Sequence, residues 1–334
     1  RYNEVIAFVW RWLEDFSISR ETNTFGIPLP FDDSQVTYVW FDALFNYYTS
    51  IIDEQEFFPA DLHVIWKDIS RFHAIFWPAM LASYFDLWEE IDGILHFKNS
   101  DLNKLPKQIL TWWYFTVDGQ KMSKTIGNVI DPVEYSKKYS KELLTLYMLS
   151  AFSIWNDGDY DRKDAILNFN AKLANNFGNL VNRVVVLTLK LDLKNWLKWK
   201  FDNKIKSKLD LYINNFDILI NNYNLKDSLD ETFWFLDILN KYVDVKEPWQ
   251  LIKDNDKREE VIDIFYTIAE SLRQVWLNLY AFFPEKMWEL FNKLGLKNYV
   301  EQLEDWKLCE LRNREEVFMI KEKWEPLFLR FDLD

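Results

Sequence analysis

Glycine is scarce in this sequence. The 334-residue chain holds 7 glycines, where ordinary usage of about 7% would supply roughly 23. Cysteine is almost missing: Cys309 stands alone. That excludes an internal disulfide and a Cys-rich zinc site, so no zinc is expected, and it suits a cytoplasmic location. No uninterrupted apolar run of about 18 residues occurs, so no membrane span is expected. Basic excess is absent as well. Against 40 Lys and Arg stand 53 Asp and Glu, a formal net charge of -13. Such a chain does not coat nucleic acid nonspecifically, although a local basic patch that docks one RNA stays open. The sequence opens at Arg1, without an initiator Met or a secretory signal, and inside what reads as a domain. A fragment of a longer protein is therefore expected, with any targeting segment lost.

What is present is a globular composition, 49% hydrophobic, in a chain long enough for two cores. Up to about residue 135, short apolar runs alternate with turn signals. Val36-Thr37-Tyr38-Val39-Trp40-Phe41 and His63-Val64-Ile65 read as buried strands, and Phe72 to Tyr84 as a helix. Asp131-Pro132 breaks the pattern. Beyond it the period is helical: Leu143, Leu144, Tyr147, Met148 and Ala151, then Ile166, Phe169, Leu173, Phe177, Leu180 and Val181. Further helical faces run through 205–221, 228–242, 258–283 and 296–323, and strand signals nearly vanish. The expectation is an α/β layer over 1–135 and an all-helical bundle over 136–334. The lysine-rich stretch from Lys190 to Lys208 reads more readily as a solvated helix end and loop than as an RNA-backbone surface.

The strongest chemical signal is Lys121-Met122-Ser123-Lys124-Thr125, followed by Ile126-Gly127-Asn128-Val129-Ile130-Asp131-Pro132. Two ammonium groups three residues apart on a small-residue loop can close over a triphosphate. Attack on an α-phosphate builds negative charge on its equatorial oxygens and on the leaving pyrophosphate, and fixed cations stabilise that charge in the transition state. The whole run resembles the signature loop of the class I aminoacyl-tRNA synthetases.

A second block narrows the class. His63-Val64-Ile65-Trp66-Lys67-Asp68-Ile69-Ser70-Arg71-Phe72-His73, continued by Trp77-Pro78-Ala79, is similar to the His-x-x-Gly-Lys-Asp-x-x-x-Phe-His block of the methionyl-tRNA synthetase family. Tyr38-Val39-Trp40-Phe41-Asp42-Ala43-Leu44 resembles its Tyr-Val-Trp-Phe-Asp-Ala-Leu block. Leu13 to Arg20 resembles the segment where that family's chain re-enters the nucleotide-binding fold. Asn156-Asp157-Gly158-Asp159-Tyr160, the run Leu173 to Leu180, and Lys246-Glu247-Pro248-Trp249 are similar to its anticodon-binding bundle. The resemblance is dense from about residue 4 to 290.

The resemblance implies the C-terminal half of a Rossmann-like class I catalytic domain, with the lysine loop at 121–125, followed by a helical anticodon-binding bundle. It implies an enzyme that ligates methionine to its tRNA through a methionyl-adenylate, with ATP and Mg²⁺, and that is inactive as this fragment alone. Methionine would be held by Trp40, Ala43, Leu44, Tyr47, Ile69 and His73; a thioether against an aromatic ring gains about 0.3–1.5 kcal/mol. ATP would be held by Trp66, Asp68, Lys121, Met122, Ser123, Lys124 and Thr125, with Lys121 and Lys124 catalytic. Asp68 also reads as a helix N-cap. Trp249 would stack on an anticodon base, worth about 1–3 kcal/mol. Asn168, Lys172 and Asn176, four residues apart, would share the helical face that reads the anticodon. Lys172 and Asn176 depart from the Asn and Arg of some family members, and Thr145 stands where an Arg is usual. The family's zinc-bearing insertion would lie upstream. Two other functions stay open: a non-catalytic tRNA-binding protein, since none of His63, His73 and His96 lies in a His-x-Gly-His motif, and a class I synthetase for valine, isoleucine, leucine or cysteine. The blocks around Trp40 and His73 favour methionine. Oligomeric state is not legible.

The glycine deficit has a counterpart. The chain holds 17 tryptophans, and several stand where the family has glycine: Trp12, Trp66, Trp113 and Trp155. Trp196 and Trp199 occupy turn-like sites, and Asn-Trp is no turn signal whereas Asn-Gly is. Trp40, Trp77 and Trp249 match family tryptophans. The pattern is that of a gene in which UGA encodes glycine, translated as if it encoded tryptophan; the rival explanation is an inactive relative whose site has filled in. Mass spectrometry of the native protein is expected to find glycine at 66 and 113, and tryptophan at both would refute the recoding.

Overall fold

The structure, a computed structural model, describes residues 2–11, 17–21, 25–92, 94–112, 114–152, 157–191, 200–294, 296, 320 and 324–333. The chain divides into two compact units, Arg1–Tyr114 and Phe115–Asp334. The lysine segment belongs to the second.

The first unit opens with helix α1 (Tyr2–Trp10) and an antiparallel sheet in which β3 (Asp32–Thr37) lies between β1 (Ser19–Arg20) and β2 (Pro28–Leu29). Helix α2 (Val39–Thr49) follows at once. The strand expected over Val36 to Phe41 is thus corrected: extended backbone ends at Thr37, and the aromatic run enters a helix. Short apolar runs fit either period. Here Trp40, Leu44 and Tyr47 recur at helical spacing, which decides the choice.

Strand β4 (His63–Trp66) forms as expected. Its alternating burial, with His63 and Ile65 inward and Val64 and Trp66 outward, is the period-two signature of a strand. Lys67–Ile69 makes a 3₁₀ turn, Phe72–Phe76 a π-helical turn, and Trp77–Tyr84 the helix α3. The expected helix from Phe72 to Tyr84 is therefore present, with a widened first turn. After the hairpin of β5 (Trp88–Ile91) and β6 (Ile94–Phe97), strand β7 (Ile109–Trp112) returns parallel to β4, with His63 opposite Ile109. Parallel strands joined through a helix make the βαβ unit of α/β folds. Leu44 of α2 meets Trp77, Met80 and Leu81 of α3 in the core of this unit, with Trp40, Phe45 and Phe72 packed around them.

The second unit begins with the hairpin of β8 (Phe115–Val117) and β9 (Gln120–Lys121). Asp118 and Gly119 at its tip both have left-handed φ values, 52° and 70°, as a two-residue turn between right-twisted strands requires. Helices α4 (Pro132–Lys138) and α5 (Lys141–Ser150) follow, then β10 (Gly158–Tyr160), which pairs parallel to β8. A strand of three residues is below what periodicity detects. Helices α6 (Arg162–Phe169), α7 (Asn179–Leu191), α8 (Asn203–Asn221), α9 (Leu225–Lys246), α10 (Pro248–Leu251), α11 (Arg258–Tyr280) and α12 (Pro284–Lys293) complete the bundle, with a π-helical stretch at Asn170–Gly178 joining α6 to α7. The helical face expected at 296–323 lies almost wholly outside the described residues.

Capping sets several starts. Asp131, Ser140, Asp161 and Asp202 each accept a hydrogen bond from backbone N–H groups of the first turn of α4, α5, α6 and α8, satisfying donors that the helix leaves unpaired. Helix α11 is buried on nearly every side from Val261 to Leu279, which marks it as the bundle's central element. Some of its polar residues are paired within the bundle. Asn278 donates to Tyr212 Oη at 2.9 Å, and Tyr212 bonds Thr232 Oγ1 at 3.1 Å, tying α11, α8 and α9 together.

Candidate functional site

In the first unit, the residues read as the methionine pocket come from α2 and from the turn after β4. Trp40, Ala43, Leu44 and Tyr47 fall at i, i+3, i+4 and i+7 along α2, one face of a helix. Trp40 stacks on Phe72 at 4.1 Å with an interplanar angle of 14°, and meets the His73 ring edge-on at 6.4 Å. Tyr47 Oη lies 2.9 Å from His73 Nε2, and His73 Nδ1 lies 2.9 Å from the Ile69 carbonyl. The structure thus brings Trp40, Tyr47, Ile69 and His73 into one cluster. Leu44 differs: it is 1% exposed and serves as the floor on which the aromatic residues rest. Ala43 is exposed beside it.

The π-helical turn shapes this cluster. The Trp77 N–H bonds back to the Phe72 carbonyl, five residues earlier. The extra residue widens the helix where His73 projects, a device common at functional sites. A carbonyl only accepts, so His73 Nδ1 carries the hydrogen and donates it to Ile69. Burial disfavours a second proton: it lowers the His73 pKa, only partly offset by the bond to Ile69. The remaining nitrogen, Nε2, is an acceptor, and the Tyr47 hydroxyl donates to it.

Beside this cluster Lys67, Asp68, Arg71 and Tyr114 line, with Glu4 and Phe8, a cavity of about 490 Å³. Asp68 is exposed and makes no capping bond, so the structure gives the N-cap reading no support. Trp66 has extended backbone, φ -78° and ψ 152°, which any residue adopts. Its indole, 46% exposed, stacks on Tyr114 at 6.3 Å and 18°. Of the other tryptophans at glycine-like sites, Trp12, Trp113, Trp155, Trp196 and Trp199 lie outside the described residues.

In the second unit the lysine loop is held by one carboxamide. Asn128 Oδ1 accepts the Ser123 N–H at 2.8 Å, and Asn128 Nδ2 donates to the Lys121 carbonyl at 3.3 Å. The Ser123 carbonyl accepts from the backbone of Ile126 and Gly127, and Ser123 Oγ from the Thr125 N–H. Gly127 has φ +76°, and nothing lies within 4 Å of where a Cβ would stand; it is conformation, not space, that calls for glycine there. Lys124 is exposed, and among the described residues nothing pairs with it. Met122 is half-buried and Thr125 exposed. Asp159 anchors the hairpin before the loop, accepting from Thr116 Oγ1 at 2.6 Å and from the Gly119 N–H at 2.8 Å, which keeps its carboxyl below the ordinary value. Asn128 and Asp159 stand in runs noted in the sequence, but neither had been given a role of its own. Their signal was an Asn after the only glycine of the loop, and an Asp flanking Gly158.

The residues read as the anticodon face already have partners within the chain. Lys172 Nζ pairs with Asp230 at 2.9 Å, and Lys226 shares that carboxylate at 2.6 Å. Burial pushes Asp230 up, but the two lysines outweigh it and hold it below the usual carboxylate range. Asn176 donates to Asp237 Oδ1 and accepts from Asn240 Nδ2, both at 2.7 Å. Asn168 reaches Ser150 Oγ at 3.4 Å. Trp249 differs. Glu247 closes α9 in a left-handed conformation (φ 43°, ψ 52°), and Pro248 starts α10 with Trp249 next. The Arg183 guanidinium lies 6.0 Å from the Trp249 ring centre, and its other partner is the exposed Asp244. Arg183 was not among the residues singled out by sequence; it stands seven positions after Asn176, the next two turns of the same face.

A family model described as tRNA synthetases class I (M) matches residues 1–185. A methionine–tRNA ligase of Fusobacterium nucleatum is 33% identical over all of this chain and 52% of its own length. One of Synechocystis is 33% identical over 88% of this chain and 55% of its own, and one of Thermotoga maritima 31% over 99% and 51%. Among solved structures, a Mycobacterium tuberculosis methionyl-tRNA synthetase in complex with methionyl-adenylate superposes with a TM-score of 0.84 at 27% identity, covering 98% of this chain and 63% of that one. The fold expected from the sequence, α/β followed by helices, is that of this solved structure. The chain spans about half the length of the curated relatives it matches.

His63 also lies in the cluster, its ring 4.5 Å from that of Tyr47 and 5.6 Å from that of His73. Burial, and after it the charge of His73, lower its pKa from 6.5 to about 4. A base whose folded pKa is depressed contributes stability that is complete above the unfolded value and is lost as pH falls towards the folded one. Chemical denaturation between pH 7 and 4 is expected to show a loss of the order of 1–3 kcal/mol that begins near pH 6.5. A profile flat to pH 4 in the first unit would contradict neutral burial of His63 and His73.

Proposed function

The chain belongs to the class I tRNA synthetases (M), and from that premise we propose that it serves methionine activation and its transfer to tRNA. The methionine carboxylate attacks the α-phosphorus of ATP. A carboxyl–phosphate bond forms, the α–β phosphoanhydride breaks, and pyrophosphate leaves with the electron pair. The adenosine of the tRNA terminus then takes the methionyl group and AMP departs. ATP enters as its magnesium complex, a co-substrate; among the described residues no group of three or more metal-ligating side chains exists to hold a resident metal.

The observation that carries this reading is the neutral cluster of Trp40, Tyr47, Ile69 and His73. A thioether is polarizable, flexible and uncharged. It suits aromatic faces and a cluster in which the Tyr47 hydroxyl and the His73 imidazole satisfy one another. A valine or isoleucine side chain is β-branched and stiffer, and would not follow such a slot. Ala43 leaves room at its side, Leu44 supports it from beneath, and the exposed carboxylate of Asp68 suits ribose hydroxyls. Lys124, unpaired among the described residues, and Lys121 supply positive charge to the polyphosphate, on a loop whose shape Asn128 fixes and whose Met122, Ser123 and Thr125 make the remaining contacts.

For tRNA, Trp249 with Arg183 makes the stronger base-reading pair: an indole face for stacking and a cation with one exposed carboxylate partner. Lys172 and Asn176 act through the contact of the π-helical stretch with α9, and Asn168 through α5. No helix among the described residues is long and apolar enough to cross a membrane, and the cytoplasm, where tRNA and ATP are available, is the proposed location.

The test is ATP–pyrophosphate exchange by the whole protein. Methionine is expected to support exchange, isoleucine and valine not, and Lys124→Ala to lower the rate about 10²–10³-fold. Exchange driven equally by isoleucine, or an unchanged rate in Lys124→Ala, would overturn the reading.

A further inference from the structure

His63 is an odd choice for its position. It faces inward from β4, is 4% exposed, and its Nε2 is buried without a hydrogen-bond partner. A leucine or phenylalanine would fill the space without leaving a polar atom unsatisfied. Positions that depart from the stable choice are expected where function requires it.

The surroundings indicate what His63 does. Its backbone is pinned in the sheet: the N–H bonds the Gln108 carbonyl at 2.9 Å, and the residue pairs with Ile109 of β7. Its ring meets the Tyr47 ring at 4.5 Å and 63°. Tyr47 projects from the last turns of α2 and is 40% exposed. Trp77 lies against its ring at 6.1 Å, and its hydroxyl reaches His73. A phenol aims its O–H wherever its ring plane points, and a half-exposed ring swings unless something stands beside it. The sheet-anchored imidazole is that neighbour.

We propose that His63 is the positioning residue for Tyr47: it wedges the phenol so that its hydroxyl stays on His73 Nε2, and it sets methionine affinity through that bond. This rests on the reading of the Trp40–His73 cluster as the amino-acid site. The charged and titratable groups facing His63 are Tyr47 from α2 and His73 from the π-helical turn. The lowered pKa of His63 keeps the wedge uncharged at neutral pH, so no second cation stands beside the His73 ring.

The test is calorimetric titration of the full chain with methionine, with thermal unfolding recorded for every variant. His63→Ala is expected to weaken binding about five- to ten-fold, the range of one ring-on-ring contact. His63→Phe should restore most of the affinity, because it keeps a ring in place. His63→Leu should not, and it stands in for the alanine variant if that one fails to fold. In a Tyr47→Phe background, His63→Ala should add nothing, since the hydroxyl it aims is gone. Unchanged affinity in His63→Ala, equal affinity in the leucine and phenylalanine variants, or a full additive loss in the Tyr47→Phe background would overturn the role of His63 alone. A wild-type chain that takes up no methionine would instead remove the amino-acid site, and this role with it.

Discussion

One hydrogen bond orders the first unit's site. The Ile69 carbonyl accepts from His73 Nδ1, and the bond between His73 and Tyr47 follows from that choice. It fixes the tautomer and makes Nε2 an acceptor, so the Tyr47 hydroxyl has a partner and no net charge enters the pocket. The π-helical turn makes the arrangement reachable, because the widened backbone carries His73 past the position an α-helix would give it. Phe72, one residue earlier, is left to stack on Trp40. The arrangement of this cluster therefore depends on the widened turn that immediately precedes α3.

The lysine loop follows a similar logic with a different group. Lys121 ends β9, but Lys124 lies on irregular backbone, which would sample many conformations unless tied. A single Asn128 side chain, donor and acceptor at once, joins the loop's two ends, and Asp131 then caps the helix that leaves it. Ordering a loop in advance reduces the entropy lost when it closes on a ligand. The arrangement accounts for a run in which glycine, asparagine, aspartate and proline each have a separate backbone task.

Much of this was legible in the sequence, and the exceptions have physical causes. The lysine loop and the helical bundle followed from motif and period, and the grouping of Trp40, Tyr47 and His73 from the family resemblance. The strand that was expected through Phe41 turned into helix because β-branched and aromatic residues suit either period over six positions, and the contacts of Leu44 with Trp77 and Leu81 decide the matter only in three dimensions. β10 escaped because its three residues are too few for any periodicity. Arg183 escaped for a subtler reason: four-residue spacing selected Asn168, Lys172 and Asn176 as one face, but spacing cannot reveal that Asp230 and Asp237 of α9 already occupy two of them. His63 heads a quoted block, but its role carried no signal, since a histidine inside a strand becomes notable only once its nitrogen is found without a partner.

The claim that all of this turns on is the protonation pattern of one ring. With three histidines in the chain, long-range nitrogen–proton NMR resolves each imidazole separately. Near neutral pH the account predicts for His73 a protonated, pyrrole-type Nδ1 and an unprotonated, pyridine-type Nε2. A proton on Nε2, whether as the other tautomer or as imidazolium, would contradict it, because Tyr47 would then have nothing to donate to.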